Sequence, residues 1–395
     1  MTLDDIFDKA LGTNNIFVDR SVLSITFTPT NIPHREAQIG ELGRILAPSL
    51  RGEKPSNVFI YGRTGTGKSL IARLVGEQLE KRSMGSENPI KVIYLNCKMK
   101  SADTEYRLLA SLSKEFGVEV PFTGLPTNQI YSIFMKCVDS KKQNVILIID
   151  EIDALIQKTG DEILYNLTRL NQDLKNSRVT IVGITNDLGF IENLDPRIKS
   201  SLSEEELIFP PYNAVQLQEI LKDRSKDAFV KDAMETGVVE KCAALAAQEH
   251  GDARRALDLL RVSGELAERT GSMKIKMQHV DTAEEKIDLD RTTEFVRAQP
   301  KQSQAVMWAI LKIGKKENIE TGEIVDKYIS VCNDNSLKPL TQRRVSDLIA
   351  ELDMFGVINT RVVSKGRYGR TRVISVRLPD QVYGKLEKML QQNFS

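Results

Sequence analysis

VFIYGRTGTGKS, residues 58–69, is the stretch from which the rest of the chain can be read. Val58 to Tyr61 form an apolar run suited to a buried strand, a glycine-rich turn follows, and a helix over Ser69–Lys81 comes next. The turn fits G-x-x-x-x-G-K-[ST] without a mismatch: Gly62, four residues, then Gly67-Lys68-Ser69. Gly62, Gly65 and Gly67 let the backbone curl with its N–H groups facing a phosphate, where a Cβ would intrude. The helix offers the same anion its positive end. Gly62, Thr64, Gly65, Thr66, Gly67, Lys68, Ser69 and Leu70 are therefore candidate nucleotide-binding residues. Lys68 is expected on the β/γ-phosphates and Ser69 on Mg²⁺. An ordinary glycine-rich connection is the plain alternative, and strand, loop and helix in this order argue against it.

At 395 residues, two or three domains are expected rather than one core. With 41% hydrophobic and 28% charged residues the composition is globular. No apolar run approaches the ~20 residues of a membrane span, and MTLDDIFDKA at the start is acidic rather than signal-like. An intracellular, cytoplasmic location without membrane contact is expected. Cys97, Cys137, Cys242 and Cys332 lie far apart, which disfavours a zinc site or a disulfide framework. The net charge of +1 is uneven: residues 296–395 hold 17 Lys/Arg against 10 Asp/Glu, and the remainder 38 against 44. A basic end on a neutral chain suggests a polyanion partner held there.

Residues 1–15 read as a lead-in, and 16–32 carry apolar residues without clear period. Helical spacing marks His34–Leu50, and strands are expected at Lys91–Cys97, Asn144–Asp150 and Arg178–Asn186. Strands alternating with helices predict a parallel sheet covered on both faces. In such sheets ligands sit at the carboxyl ends of strands. The phosphate loop, Asp150 and Asn186 all fall there and should converge. Beyond Pro210-Pro211 the pattern is helical through Lys286, with Ile287–Phe295 as connector.

VILIIDEID (Val145–Asp153) supplies the second half of the site. Asp150 is expected to hold Mg²⁺, and Glu151 to polarise the attacking water as general base. Asn186 can bond the γ-phosphate or the water. GDARRALDLLR (Gly251–Arg261) places Arg254 in a helix's first turn, able to reach the γ-phosphate across a cleft with a permanently charged fork.

Together these motifs resemble an AAA+ ATPase. More narrowly, PHRE (33–36), GRTGTGKS, IIDEID, LDPRIKSSL (194–202), FPPYNAVQLQEIL (209–221) and GDARRALDLLR resemble archaeal replication initiators of the origin-recognition and cell-division-control type. The resemblance implies a base at 1–209 on a parallel five-stranded sheet, an all-α lid at 210–286, a linker at 287–295 and a winged helix at 296–395. It implies ATP/ADP and Mg²⁺ held tightly with slow turnover, binding of double-stranded origin DNA at the nucleoid, recruitment of the replicative helicase, and a paralogous initiator as a candidate partner. Pro33, His34 and Arg35 match the segment flanking the adenine, and Tyr212 the residue packing near the base. The insertion at 110–129 matches one that touches DNA, here through Thr123, Gly124 and Leu125. Where related clamp loaders carry Ser-Arg-Cys this chain has Lys199-Ser200-Ser201-Leu202, so the trans-acting arginine is missing at Ser201. Arg197 and Lys199 are the available substitutes.

The basic tail shows three helices, Ser303–Gly314, Thr321–Asn333 and Leu340–Phe355, then strands at Val357–Val363 and Thr371–Leu378. That order is a helix-turn-helix with a wing. Gln342, Arg343 and Arg344 stand in the third helix's first turn, where side chains read base edges or grip phosphate. The hairpin SKGRYGR offers Lys365, Gly366, Arg367, Tyr368 and Arg370 to a groove. Trp308 is expected in the core. The reading is an ATP-regulated replication initiator; the alternatives are a clamp-loader-like ATPase and an ATP-gated DNA-binding regulator.

Overall fold

The computed structural model describes residues 16–394 except 30, 100–101, 122–123, 188, 191–193, 203, 316–317, 365–369 and 377. Its contacts separate into two compact units, Met1–Val280 and Asp281–Ser395.

The first unit opens with α1 (Glu36–Leu46), shorter than the spacing from His34 to Leu50 suggests because the chain tightens into a 3₁₀ turn at Ala47–Arg51. Then follow β1 (Val58–Gly62), α2 (Lys68–Ser83), β2 (Ile90–Asn96), α3 (Glu105–Glu115), α4 (Thr127–Val138) and β3 (Gln143–Asp150). α5 (Ile152–Thr159), α6 (Glu162–Arg169), β4 (Ser177–Thr185), α7 (Pro196–Leu202) and β5 (Glu205–Phe209) complete the base. The five strands are parallel in the order β2-β3-β4-β1-β5. Both faces are covered, which is why β3 is apolar from Val145 to Ile149. Val145, Leu147 and Ile149 face one core with Leu108, Phe134 and Leu167. Ile146 and Ile148 face the other with Leu42, Ile71 and Val75.

Three lid helices follow: α8 (Ala214–Ala228), α9 (Val238–Gln248) and α10 (Ala253–Arg269). A capping box starts α8, the Asn213 side chain accepting from the Gln216 amide and the Gln216 side chain from the Asn213 amide. α11 then runs unbroken from Met277 to Ala298. The segment 287–295, expected as a linker, is therefore helical. No Gly or Pro occurs between Met277 and Ala298, and the first breaker is Pro300. The division between the compact units falls inside this helix, at 280/281.

The second unit holds α12 (Lys301–Ile313), β6 (Ile319–Glu320), α13 (Thr321–Asp334), α14 (Gln342–Met354), β7 (Asn359–Ser364), β8 (Arg370–Ser375) and α15 (Asp380–Asn393). β8 lies between β6 and β7, antiparallel to both. Trp308, Tyr328, Val345, Ile349, Ile374 and Leu386 share one core. Among the described residues, no helix is long and apolar enough to cross a membrane.

Candidate functional site

A cavity of about 380 Å³ opens where β1, β3 and β4 end. Gly65, Thr66, Gly67, Lys68, Ser69 and Leu70 line it, whereas Thr64 is exposed and off the wall. Gly65 (φ 73°) and Gly67 (φ 94°) hold left-handed conformations that a side chain disfavours. The Lys68 ammonium, 5% exposed, donates to the carbonyls of Gly62 (2.7 Å) and Arg63 (2.8 Å) and to Asn186 Oδ1 (2.8 Å). Burial pulls its pKa down to about 8 and the Arg254 charge adds to the fall, while Asp150 opposes it. Lys68 and Asn186, distant in sequence, thus meet at one point.

Asp150, 5% exposed, closes the far side. Its Oδ2 accepts from Tyr94 Oη (2.6 Å) and its Oδ1 from the Glu151 amide (2.9 Å). Burial first, then this bond, pushes the Tyr94 phenol up to about 12. Glu151 caps α5 from a left-handed conformation (φ 54°), uncommon outside glycine, and its carboxylate pairs with Lys98. Cys97, whose amide donates to the Asp150 carbonyl (2.9 Å), is buried, and burial and the neighbouring acids hold its thiol at about 12.

The lid reaches the same cavity. Arg254 lines it from the first turn of α10, whose N-cap Asp252 accepts from the Arg254 amide (2.7 Å). The Ala253 amide donates to the Gly65 carbonyl (3.2 Å), and Arg63 Nη1 lies 2.7 Å from His250 Nδ1. A Cβ on Gly65 would fall 1.6 Å from Asp252 Oδ1, so this glycine is also required by the lid. Arg255 turns away to Glu249 (3.2 Å).

Of the residues read as flanking a base, Pro33 and Tyr212 line the cavity. His34 and Arg35 do not. His34 Nε2 sits 2.9 Å from Glu219 Oε2, and Arg35, 2% exposed, folds beneath the phosphate loop. Their places follow from the turn into α1, where His34 takes φ 64° and sends the two side chains to opposite partners. Sequence reasoning missed most of the wall that residues 24–29 and 31–32 build. Phe27 lies under the Arg224 guanidinium (4.6 Å), and Phe17 bridges to Phe229 in the lid. Their partners are some two hundred residues away, so no local period marks them.

The remaining candidates are spread over the chain. Thr123 lies outside the described residues, Gly124 (φ 105°) is exposed with open space around it, and Leu125 packs partly against the base core. Arg197 is engaged by Asp195 (2.8 Å). In the second unit Thr341 caps α14, and Gln342, Arg343 and Arg344 are exposed on its first turn. Arg344 pairs loosely with Asp347, at 3.7 Å. Lys365, Gly366, Arg367 and Tyr368 lie outside the described residues, and Arg370 pairs as backbone with Ser364.

Comparison with known proteins reports on both units. Residues 51–188 match the AAA domain, 218–285 the Cdc6 AAA+ ATPase-type lid domain, and 294–383 the CDC6 C-terminal winged helix domain. The chain is 51% identical over 382 residues to the ORC1-type DNA replication protein of Thermococcus onnurineus, covering 95% of this chain and 92% of that one. It is 50% identical to ORC1-type DNA replication protein 1 of Methanosarcina mazei, with 96% and 92% covered. Among solved structures, the Aeropyrum pernix ORC1 protein in complex with DNA superposes at a TM-score of 0.86, with 44% identity over 96% of this chain and 98% of that one.

Proposed function

The chain belongs to the ORC1-type family of DNA replication initiators, AAA+ proteins with a C-terminal winged helix, and from that premise we propose an initiator that binds origin duplex DNA under the control of slow ATP hydrolysis. Lys68 and the amides of residues 65–69 hold the phosphates, and Asn186, bonded to Lys68, keeps that ammonium in line. Arg254 brings the lid's charge to the terminal phosphate, and Glu151 accepts the proton of the attacking water. The oxygen donors Ser69 and Asp150 line one cavity, and Asp150 is oriented by Tyr94 and the Glu151 amide, a hard-ligand set that suits Mg²⁺. Ser69 and Asp150 would hold the ion, which would supply charge neutralisation to the phosphates when bound. Arg343 and Arg344, with the wing and the insertion, contact the duplex, chiefly its phosphates. Helicase recruitment, pairing with a paralogous initiator and a place in the cytoplasm at the nucleoid complete the proposal.

The observation that carries it is the convergence of Lys68, Asp150, Asn186 and the lid's Arg254 on one cavity. Calorimetric titration with ATP tests it directly, with binding expected in Mg²⁺ and weakened by EDTA. Turnover unchanged by duplex distinguishes a switch from a clamp-loader-like ATPase, which duplex accelerates. Absence of adenine-nucleotide affinity overturns the reading.

A further inference from the structure

Arg35 is a buried cation that donates to three backbone carbonyls. Its Nε donates to Thr66 (2.9 Å) in the phosphate loop, its Nη2 to Pro210 (2.5 Å) at the start of the lid, and its Nη1 to His34 (3.2 Å). The guanidinium also lies over the Tyr212 ring, 3.8 Å from the centroid. Tyr212 is in turn locked to the loop that begins α10. Its amide donates to the Gly251 carbonyl (3.3 Å), and a Cβ on Gly251 would fall 2.2 Å from the Tyr212 carbonyl oxygen. One residue on, Asp252 caps the helix that carries Arg254, and the Ala253 amide returns to Gly65. These contacts form a closed ring: phosphate loop, Arg35, Tyr212, residues 251–253, phosphate loop.

We infer that Arg35 is a positioning residue that sets Arg254 against the phosphate loop by joining Thr66 to the Pro210–Tyr212 segment. The inference rests on the ATPase reading above. Only a planar fork can serve several diverging carbonyls while stacking on a ring; lysine offers one ammonium and no plane. The ring has a second joint at Ala253 and Gly65, so loss of the fork displaces the lid without releasing the nucleotide.

A double-mutant cycle on ATP hydrolysis tests this with Arg35→Lys, Arg254→Ala and the pair. Arg35→Lys is expected to lower kcat about tenfold while KM for ATP stays within about threefold, the pattern of a misplaced catalytic group. With Arg254 already gone there is nothing left to position, so the pair should match Arg254→Ala alone. A purely structural role would multiply the two losses, and that outcome, or an unchanged kcat in Arg35→Lys, overturns the inference. Should Arg35→Lys fail to fold by circular dichroism, Tyr212→Leu opens the ring one joint further on. The same non-additivity with Arg254→Ala is then expected, and multiplication again overturns the inference. Wild-type protein runs in the same assay: no hydrolysis by wild type sinks the ATPase reading itself, a result distinct from multiplied losses.

Discussion

The nucleotide cavity and the first turn of α14 both carry cations expected to meet phosphate, yet they hold them differently. In the cavity the Lys68 ammonium is bound to three oxygens, Asp150 to a phenol and an amide, and Glu151 to Lys98. On α14 Arg343 and Arg344 stand in solvent, Arg344 in only a loose, exposed pair with Asp347 at 3.7 Å. A site that must present one geometry to a reacting group gains from donors already fixed, because no reorganisation is left for the moment of reaction. A surface that must follow a flexible polyanion gains from long side chains left free, with affinity coming from released counterions. Burial sorts the two roles more sharply than residue type does.

Substitutions can break or sharpen this contrast. The largest effect is expected for Glu151→Gln, which keeps the shape and removes the base. Hydrolysis should fall about 10²- to 10⁴-fold with ATP affinity within a few-fold, measured by phosphate release and calorimetry. Loss of binding in parallel would mean that Glu151 holds the loop rather than the water. Next comes Lys68→Ala, which deletes a buried charge and frees three acceptors. ATP affinity should drop on the order of 100-fold while duplex affinity without nucleotide is preserved. A variant that binds ATP normally would erase the distinction between the two regions.

A smaller effect is expected on α14. Arg343→Ala with Arg344→Ala should reduce the slope of log K against log salt for duplex by about 1.8, leaving ATP affinity unchanged. An unaltered slope would show that these arginines only solvate the helix. The smallest effect is in the winged-helix core, where Tyr328 donates to Gln302 and accepts from the Leu340 amide. Burial pushes its phenol up to about 12. The folded unit keeps the proton that an unfolded chain gives up near pH 10, so this contribution is intact below pH 10 and is lost as pH rises toward 12. Trp308, the chain's single tryptophan, sits in the same core, so its fluorescence in denaturant titrations between pH 9 and 12 follows this unit selectively. A midpoint constant over that range would remove Tyr328 from the account.

What could be read beforehand follows the range of the interactions. β1, β3 and β4 were legible because strands covered on both faces carry runs of apolar residues rather than an alternation, and the phosphate loop because its glycines answer a backbone requirement. The convergence of Lys68, Asp150 and Asn186 followed from strand ends in a parallel sheet. The wall at residues 24–29 and 31–32 was illegible because its partners, such as Arg224 over Phe27, lie far along the chain. Arg35 shows the same limit: a motif marks the position, but nothing local says that the guanidinium turns under Thr66 rather than toward a base. By contrast α15 had a readable signal, Val382, Leu386 and Leu390 at intervals of four, and so did α11 in its lack of any breaker before Pro300.

The state of Cys97 governs how this centre responds to electrophiles. Burial and the neighbouring acids raise its pKa to about 12, so it stays a thiol, the unreactive form, at ordinary pH. Alkylating reagents and mild oxidants therefore pass the acids beside it without reacting, and Cys137, half-buried on α4, is a more accessible handle for a spectroscopic label. Buried beside the acids that shape the cavity, the Cys97 thiol stays protonated and takes no part in the chemistry proposed there.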